Sequence, residues 1–335
     1  MTEPILQLTD VSKSFPIRAE RGRGMPRLQR ERLHALQRVS LKVSEGETLG
    51  IVGESGCGKS TLAKLLVRLL QPDSGQVFYR GRELKTVASR DLRRIQMVFQ
   101  NPYGSLNPRL TIGNAVAEPL RVYELVDRKG VSAEVDRLLE QVGLASAIKD
   151  RYPLELSGGQ CQRVAIARAL AVRPEILIAD EAVSSLDVSV QAQILNLLAD
   201  LRDALNLTVI AISHDLGVIE YLCDRIGVMY LGHLVEWGTG TDVLKQPGHP
   251  YTRGLLESVP SLDPSNRSAD SGVRGELPSA ITLPEGCVFR PRCPRAQGEC
   301  IKPPPTINLN DEHWANCFFA TDVQRDGAKH DAAAS

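Results

Sequence analysis

The distribution of apolar residues along the chain predicts short buried strands that alternate with amphipathic helices. Four runs are mostly apolar over their whole length, which is typical of parallel strands covered on both faces. These runs are residues 48–52, 95–99, 176–181 and 207–213. Helical spacing of apolar positions marks residues 61–70, 158–171 and 191–205. Strands and helices in this alternation predict an α/β core.

Two further patterns surround this core. Shorter apolar or weakly alternating segments predict additional strands, of which the last two form a hairpin-like pair. They are residues 5–11, 35–43, 76–79, 226–230 and 233–236. Between residues 106 and 155 helical periodicity dominates, and Leu138, Leu139 and Val142 share one face of a predicted helix. We therefore expect a helical subdomain inserted into the α/β core.

A glycine-rich loop separates the strand at residues 48–52 from the helix that follows it. The loop fits the phosphate-binding pattern of a glycine, four residues, and then Gly-Lys-Ser/Thr. Its residues are Gly53, Glu54, Ser55, Gly56, Cys57, Gly58, Lys59, Ser60 and Thr61. Backbone N–H groups and the helix dipole favour an anion there. We expect Lys59 to reach the β/γ-phosphates and the Ser60 hydroxyl to bind Mg²⁺. A chance glycine turn is the alternative, and the flanking strand and helix argue against it.

Polar residues stand at the ends of three of the apolar strands. Gln100 follows the second strand, Asp180 and Glu181 end the third, and His214 follows the fourth. In phosphate-loop enzymes an aspartate at such a position holds Mg²⁺, directly or through water. Glu181 can then polarise the attacking water, and His214 is a candidate sensor of the γ-phosphate. Each residue taken alone could instead be an ordinary loop or surface residue.

A second helix start carries the sequence Leu156-Ser157-Gly158-Gly159-Gln160. Ser157 is a plausible N-cap, and the two glycines let a ligand approach the backbone. The N-terminus of this helix is therefore a second candidate anion site. A Ser-Gly-Gly cap is not specific on its own.

Composition narrows the classes of function. The chain has 335 residues, of which 42% are hydrophobic, and its formal net charge is zero. Balanced charge argues against a general nucleic-acid binder, because phosphate contacts need an excess of Lys and Arg. The N-terminus lacks a basic start followed by an apolar run, and no apolar stretch approaches the ~20 residues that span a bilayer. We expect a soluble, intracellular protein that can dock on a membrane partner.

An arginine-rich insert occupies residues 16–34. Its six arginines are Arg18, Arg21, Arg23, Arg27, Arg30 and Arg32. Only Glu20 and Glu31 oppose them, so the segment is favoured as a solvated loop. A basic surface that faces lipid headgroups or a partner is the alternative.

Four of the seven cysteines cluster near the C-terminus, at Cys287, Cys293, Cys300 and Cys317. Disulfides are disfavoured in a chain without an export signal. Structural Zn²⁺ usually uses closer cysteine pairs, whereas a 4Fe-4S cluster needs four thiolates and tolerates varied spacing. Four unligated thiols are the remaining alternative. The Pro-rich segment around these cysteines has few apolar residues to form a core, so a bound metal ion or cluster would stabilise it.

The order of the motifs resembles the nucleotide-binding subunits of ABC transporters. A phosphate loop, a strand-end glutamine, LSGGQ, a strand ending in Asp-Glu, Ser-Leu-Asp and a strand-end histidine follow one another over about residues 4–260. LSGGQ together with the phosphate loop (the Walker A motif) and the strand ending in Asp180-Glu181 (the Walker B motif) is highly specific. The resemblance implies an α/β, ABC-type P-loop NTPase with a RecA-like core, an antiparallel β subdomain and an inserted helical subdomain at about residues 106–160. It also implies an ATPase in which two subunits sandwich two ATP molecules.

The resemblance assigns a role to each motif. Phe15 would stack on adenine, Gly53 to Thr61 would hold the phosphates, and Gln100 and Asp180 would serve Mg²⁺ and the attacking water. Glu181 would be the catalytic base, and His214 would hold the γ-phosphate. Ser157, Gly158, Gly159 and the adjoining Gln160 would act on the ATP of the other subunit, with Asp187 at the dimer seam. Ala182 replaces a usual proline and Cys161 a common arginine, and neither change removes a catalytic group.

The C-terminal sequence resembles a narrower group. The stretch His249-Pro-Tyr-Thr and the segment around Cys287 and Cys293 look like the tails of ATPase subunits of dipeptide, oligopeptide and nickel importers. This resemblance implies a 4Fe-4S cluster at the four cysteines, with Zn²⁺ as the alternative. It divides the chain into a nucleotide-binding domain, residues 1–260, and a small Cys-rich extension, residues 261–335.

The implied assembly is a peptide importer. A second ABC ATPase subunit, expected to be a paralogue, two membrane-spanning permeases and a periplasmic binding protein would be the partners, on the cytoplasmic face of the bacterial inner membrane. Nickel, glutathione and opines remain open as substrates. A soluble ABC ATPase working on DNA repair or ribosomes is the rival class, and an iron–sulfur regulator that only binds ATP is the second rival.

Overall fold

The computed structural model describes residues 3–17, 31–184, 186–258, 273 and 275–325. Five arginines of the arginine-rich insert, and hence the choice between its two interpretations, lie outside these residues. The strands are β1 (Leu6–Pro16), β2 (Arg32–Val43), β3 (Thr48–Val52), β4 (Ser74–Tyr79), β5 (Arg82–Glu83), β6 (Ile95–Val98), β7 (Ile176–Asp180), β8 (Thr208–Ser213), β9 (Arg225–Tyr230), β10 (His233–Thr239), β11 (Thr306–Asn308) and β12 (Trp314–Asn316). The helices are α1 (Lys59–Leu66), α2 (Pro102–Ser105), α3 (Ile112–Val122), α4 (Val131–Gln141), α5 (Gly158–Leu170), α6 (Val188–Leu205), α7 (Leu216–Leu222), α8 (Gly240–Lys245) and α9 (Pro250–Glu257).

The central sheet has eight strands in the order β11-β12-β10-β9-β3-β8-β7-β6. Strands β6, β7, β8, β3 and β9 run parallel to one another. Every residue of β3, β7 and β8 is buried, because helices and the second sheet cover both faces. This burial confirms the prediction drawn from the continuous apolar runs.

The second sheet is antiparallel, in the order β2-β1-β4-β5. Its apolar face packs with helix α1 and one face of the central sheet, in a core that includes Leu6, Leu36, Leu62 and Ile178. The phosphate loop therefore leaves a strand of one sheet and enters a helix that packs against the other.

Helices α3, α4 and α5 form the expected helical subdomain. Leu138, Leu139 and Val142 are all buried and belong to its apolar core. The predicted helical face is therefore confirmed. No helix in the described segments is both long enough and apolar enough to cross a lipid bilayer.

The C-terminal residues extend the central sheet. Strand β12 pairs with β10, where Trp314 lies opposite Trp237, and β11 pairs with β12. The buried Glu236 carboxylate on β10 fixes this arrangement. Its Oε1 accepts a hydrogen bond from the Gly248 N–H (2.6 Å), and its Oε2 accepts one from the His249 N–H (3.0 Å). His313 Nε2 lies 2.7 Å from Oε1.

Removal of this carboxylate tests its structural role. In Glu236→Ala two backbone N–H groups and the imidazole lose their acceptor in a buried place, so we expect the free energy of unfolding to fall by about 3 kcal/mol. Urea unfolding followed by circular dichroism measures the change. The matched control is Glu312→Ala, an exposed position beside His313. Equal unfolding midpoints for the two variants would show that the buried carboxylate is dispensable.

Candidate active site

The phosphate loop joins β3 to α1 and depends on its glycines. Gly53 and Gly58 have φ values of 152° and 112°, in the region that side chains disfavour. A Cβ at Gly53 would lie 2.1 Å from the Met229 carbonyl oxygen, and one at Gly58 would lie 2.2 Å from that of Ala35. The loop is thus pressed between β9 and β2, which holds its backbone in place.

Lys59 is folded back over this loop. Its ammonium group donates hydrogen bonds to the carbonyl oxygens of Gly53 (2.6 Å) and Glu54 (3.0 Å), and the residue is only 4% exposed. Within the described part of the chain it forms no ion pair. A buried cation held by neutral acceptors is well suited to receive phosphate oxygens.

Ser60 and Asp180 meet at the start of α1 and the end of β7. The Ser60 hydroxyl donates to Asp180 Oδ1 at 3.2 Å. Burial raises the pKa of Asp180, and the neighbouring Glu181 charge adds to the rise, although Ser60, Lys64 and Lys59 oppose it. One hydroxyl and one carboxylate fit Mg²⁺, which is commonly held by one or two protein oxygens together with phosphates and water. The residues present therefore suit the expected metal.

Glu181 brings the three predicted catalytic residues together. Gln100 Nε2 donates to Glu181 Oε2 at 2.7 Å, and His214 Nδ1 lies 3.6 Å from Glu181 Oε1. The Glu181 backbone N–H donates to the Ile212 carbonyl at 2.9 Å. Glu181 also has φ 48°, a left-handed conformation that is costly for a side chain with a Cβ. The strained backbone aims the carboxylate at the edge where Gln100 and His214 stand.

The signature stretch 157–160 forms a complete capping box at the start of α5. The Gln160 N–H donates to Ser157 Oγ at 3.3 Å, and the Ser157 N–H donates to Gln160 Oε1 at 3.0 Å. The N-cap prediction for Ser157 is confirmed. Cys161, which follows, is fully buried and its thiol donates to the Pro153 carbonyl at 3.3 Å, so the departure from arginine is absorbed by packing.

The two glycines of the signature pack against their own chain. A Cβ at Gly159 would lie 2.4 Å from Val190 Cγ1, and one at Gly158 would lie 3.2 Å from Leu186 Cδ2. These neighbours flank Asp187, the residue immediately before α6. The signature therefore packs against residues on either side of Asp187, the expected dimer-seam residue.

Phe15 lies at the end of β1, opposite Leu33 on β2. The Lys13 ammonium is 5.7 Å from the centroid of its ring. Two residues beyond Leu33, the Ala35 carbonyl lies against Gly58. Phe15, the predicted adenine contact, thus lies two residue positions along the β1–β2 pair from the point where β2 meets the phosphate loop.

Two residues from the C-terminal part contact the phosphate loop, and sequence reasoning did not find them. The Glu54 N–H donates to the Tyr251 hydroxyl at 2.8 Å. The Arg292 guanidinium donates to both oxygens of the Glu54 carboxylate, at 2.5 and 2.9 Å. The His-Pro-Tyr-Thr stretch drew attention to Tyr251, but no local signal pairs Arg292 with Glu54.

The four C-terminal cysteines lie in one neighbourhood. Cys287, Cys300 and Cys317 are buried and Cys293 is partly buried. Burial raises the pKa of Cys293 to about 11 and that of Cys317 to about 12, and the charges of the neighbouring thiols add to the rise. Across the described ranges, however, no group of three or more His, Cys, Asp or Glu side chains is arranged to hold a metal ion. The expected metal centre is therefore not supported by a formed set of ligands.

Two sequence profiles of known families match the chain. The sequence profile described as ABC transporter matches residues 36–184, which carry the phosphate loop, Gln100, the signature and Glu181. A second profile, described as the C-terminal region of oligopeptide/dipeptide transporters, matches residues 235–300. The two profiles match separate parts of the chain.

Individual relatives cover most of the chain. It is 48% identical over 294 residues to the oligopeptide transport ATP-binding protein OppF of Escherichia coli. The aligned region covers 85% of this chain and 88% of that protein. It is 44% identical over 325 residues to the oligopeptide transport ATP-binding protein AppF of Bacillus subtilis, with coverages of 95% and 98%.

A solved structure with a similar fold is the dimeric, post-hydrolysis ATP-binding cassette MJ0796 bound to ADP and Pi. It aligns with a TM-score of 0.60 and 30% identity over 70% of this chain and 98% of that one. Fold, motif geometry and sequence similarity converge. The chain belongs to the family of ABC transporter ATP-binding subunits and carries the C-terminal region of the oligopeptide/dipeptide transporters.

Proposed function

We propose that this ATPase powers the import of di- and oligopeptides through membrane permeases. The observation that carries the ATPase part of the proposal is the convergence of Gln100 and His214 on Glu181, next to the Ser60–Asp180 pair and the Lys59 ammonium. Phosphoryl transfer needs positioning and charge neutralisation more than covalent chemistry. This arrangement supplies both.

The residues divide the work of ATP hydrolysis. Lys59 and the loop N–H groups bind the β- and γ-phosphates. Ser60 and Asp180 would hold Mg²⁺, which would neutralise negative charge on the phosphates. Gln100 orients the Glu181 carboxylate through its 2.7 Å hydrogen bond. Glu181 accepts a proton from water as the water oxygen bonds to the γ-phosphorus and the bond to the bridging oxygen breaks. His214 lies at the same edge to contact the γ-phosphate.

Dimerisation couples this chemistry to movement. In the proposed sandwich, the N-terminus of α5 at Ser157, Gly158, Gly159 and Gln160 contacts ATP bound to the phosphate loop of the other subunit, with Asp187 at the seam. ATP then holds the two subunits together, and hydrolysis releases them. The dimeric cassette with a similar fold supports this arrangement. We propose a related second ATPase, rather than an identical copy, as the other subunit.

The proposed substrate and partners follow from the C-terminal region and from the relatives. The matched region is that of oligopeptide/dipeptide transporters, and OppF and AppF are oligopeptide transport proteins by name. We place the chain at the cytoplasmic face of the bacterial inner membrane, with the helical subdomain α3–α5 against two permeases. A periplasmic binding protein delivers the peptide, and nucleic acid is not a partner.

Substitution of the proposed base tests the chemistry. Glu181→Gln keeps the size and the contact with Gln100 but cannot accept the proton, so we expect ATP turnover to fall roughly 10²- to 10⁴-fold. ATP binding should persist, and size-exclusion chromatography together with the companion ATPase should show an ATP-trapped dimer.

Phosphate release and equilibrium ATP binding give the two readouts for this variant. Glu220→Gln, an exposed substitution on α7, is the matched control and should behave as the unaltered protein. If ATP turnover is unchanged in Glu181→Gln, Glu181 is not the catalytic base.

Reconstitution with the permeases tests the substrate. In proteoliposomes that contain the chain, its companion ATPase and its permeases, we expect ATP-dependent uptake of labelled di- and oligopeptides that Glu181→Gln abolishes. If nickel, glutathione or opines are taken up and peptides are not, the chain serves a transporter of the same class that has a different substrate. Co-purification with ribosomes or DNA instead of permeases would support the soluble ATPase class.

We also propose that Cys287, Cys293, Cys300 and Cys317 hold a 4Fe-4S cluster. The support is the shared neighbourhood of four thiols and the C-terminal resemblance, not a formed ligand set. Such a cluster would stabilise the fold of the Cys-rich extension and would take no part in ATP hydrolysis.

Metal analysis after anaerobic purification tests the cluster. We expect broad visible absorption, with about four irons per chain. Cys300→Ser should lose the iron, and Cys223→Ser, outside the four-cysteine group, should retain it. One zinc and no iron would replace the cluster by a structural zinc site, and neither metal would contradict both assignments.

A further inference from the structure

The second residue of the phosphate loop is held by residues far away in the sequence. The Arg292 guanidinium donates hydrogen bonds to both oxygens of the Glu54 carboxylate. The side chain of Arg292 is only 5% exposed, and that of Glu54 is 29% exposed. The Glu54 N–H is bound by the buried Tyr251 hydroxyl. Both the carboxylate and the backbone of this loop residue are therefore fixed from outside the segment that matches the ABC transporter profile.

An aromatic cluster supports these two contacts. Phe289 packs edge-on against Tyr230, with ring centroids 5.2 Å apart, and lies 5.4 Å from Tyr251. The Arg292 guanidinium lies 5.8 Å from the centroid of the Tyr230 ring. Tyr230 ends β9, directly after Met229, whose carbonyl abuts Gly53. The phosphate loop and the C-terminal region thus share one packed boundary.

The charge of Glu54 makes Arg292 more than a packing residue. The Glu54 carboxylate belongs to the loop whose neighbouring groups would receive the phosphates, and its own carbonyl holds the Lys59 ammonium. An unpaired carboxylate in this place would repel the polyphosphate. A bidentate guanidinium cancels that charge and fixes its direction.

We propose that Arg292 is a positioning residue of the ATP site, through which the C-terminal region sets the affinity for ATP. It acts through Glu54 by neutralising the carboxylate and holding the loop in the form that binds phosphates. This inference rests on the proposed ATPase function, and it assigns the C-terminal region a task in nucleotide binding.

The two members of the pair should have opposite effects on ATP affinity. In Arg292→Gln the Glu54 charge is left unpaired, so we expect KM and Kd for ATP to rise roughly tenfold. In Glu54→Gln the Arg292 charge remains near the phosphates, so both constants should fall about two- to threefold. The double variant should lie between the single variants, and Arg292→Lys closer to the unaltered protein than Arg292→Gln.

The signs separate electrostatic positioning from simple packing. If the pair only braces the fold, both single variants should weaken ATP binding and the double variant should show no recovery. Arg290→Gln, in the same short helix Arg290–Arg292, is the matched control. Thermal unfolding checks the fold of each variant, and Glu54→Gln alone still tests the sign if Arg292→Gln does not fold.

Equilibrium binding of a fluorescent ATP analogue, beside phosphate release, keeps the two proposals apart. If the affinity for ATP is unchanged in Arg292→Gln, the proposed role of Arg292 is wrong, whether or not ATP turnover is normal. ATP binding without turnover in the unaltered protein, with the predicted shifts among the variants, would contradict the proposed hydrolysis and leave the positioning role intact.

Discussion

The parallel pairing of β3, β7 and β8 is the constraint on which the site depends. Val52 lies opposite Ser213, and Asp180 lies opposite Ile212, so these strands end almost level. The residues that follow, Gly53, Glu181 and His214, therefore emerge at one edge of the sheet. A slip of one residue in either ladder would turn the side chains to the other face and separate Glu181 from its neighbours.

The sequence was informative where one physical signal dominates. Strands buried on both faces need continuous apolar runs, and the phosphate loop needs its glycines, so both could be predicted with nearly the observed bounds. The meeting of Gln100, Glu181 and His214 followed from strand ends in a parallel sheet. The left-handed backbone at Glu181 had no signal, because its strain is sustained by surrounding structure and not by residue type.

The missed features are short or distant. Strands β11 and β12 have three residues each, too few for a visible alternation, and they exist because β10 offers an edge to pair with. The contact between Arg292 and Glu54 joins positions 238 residues apart, which no periodicity can report. The signature glycines were explained by ligand access, whereas Gly159 is also required by the close approach of Val190. Packing and ligand access can select the same residue.

These contacts make the C-terminal region part of the ATPase and not an appendage. Glu236 binds the start of α9 and the imidazole of His313, α9 carries Tyr251, and Tyr251 binds the phosphate loop. Arg292 reaches the same loop residue from the cysteine-bearing segment. Two routes of buried and partly buried hydrogen bonds and ion pairs thus end at Glu54. Buried polar groups are costly to leave unpaired. A rearrangement of the C-terminal region would therefore also change the structure of the loop that binds phosphates.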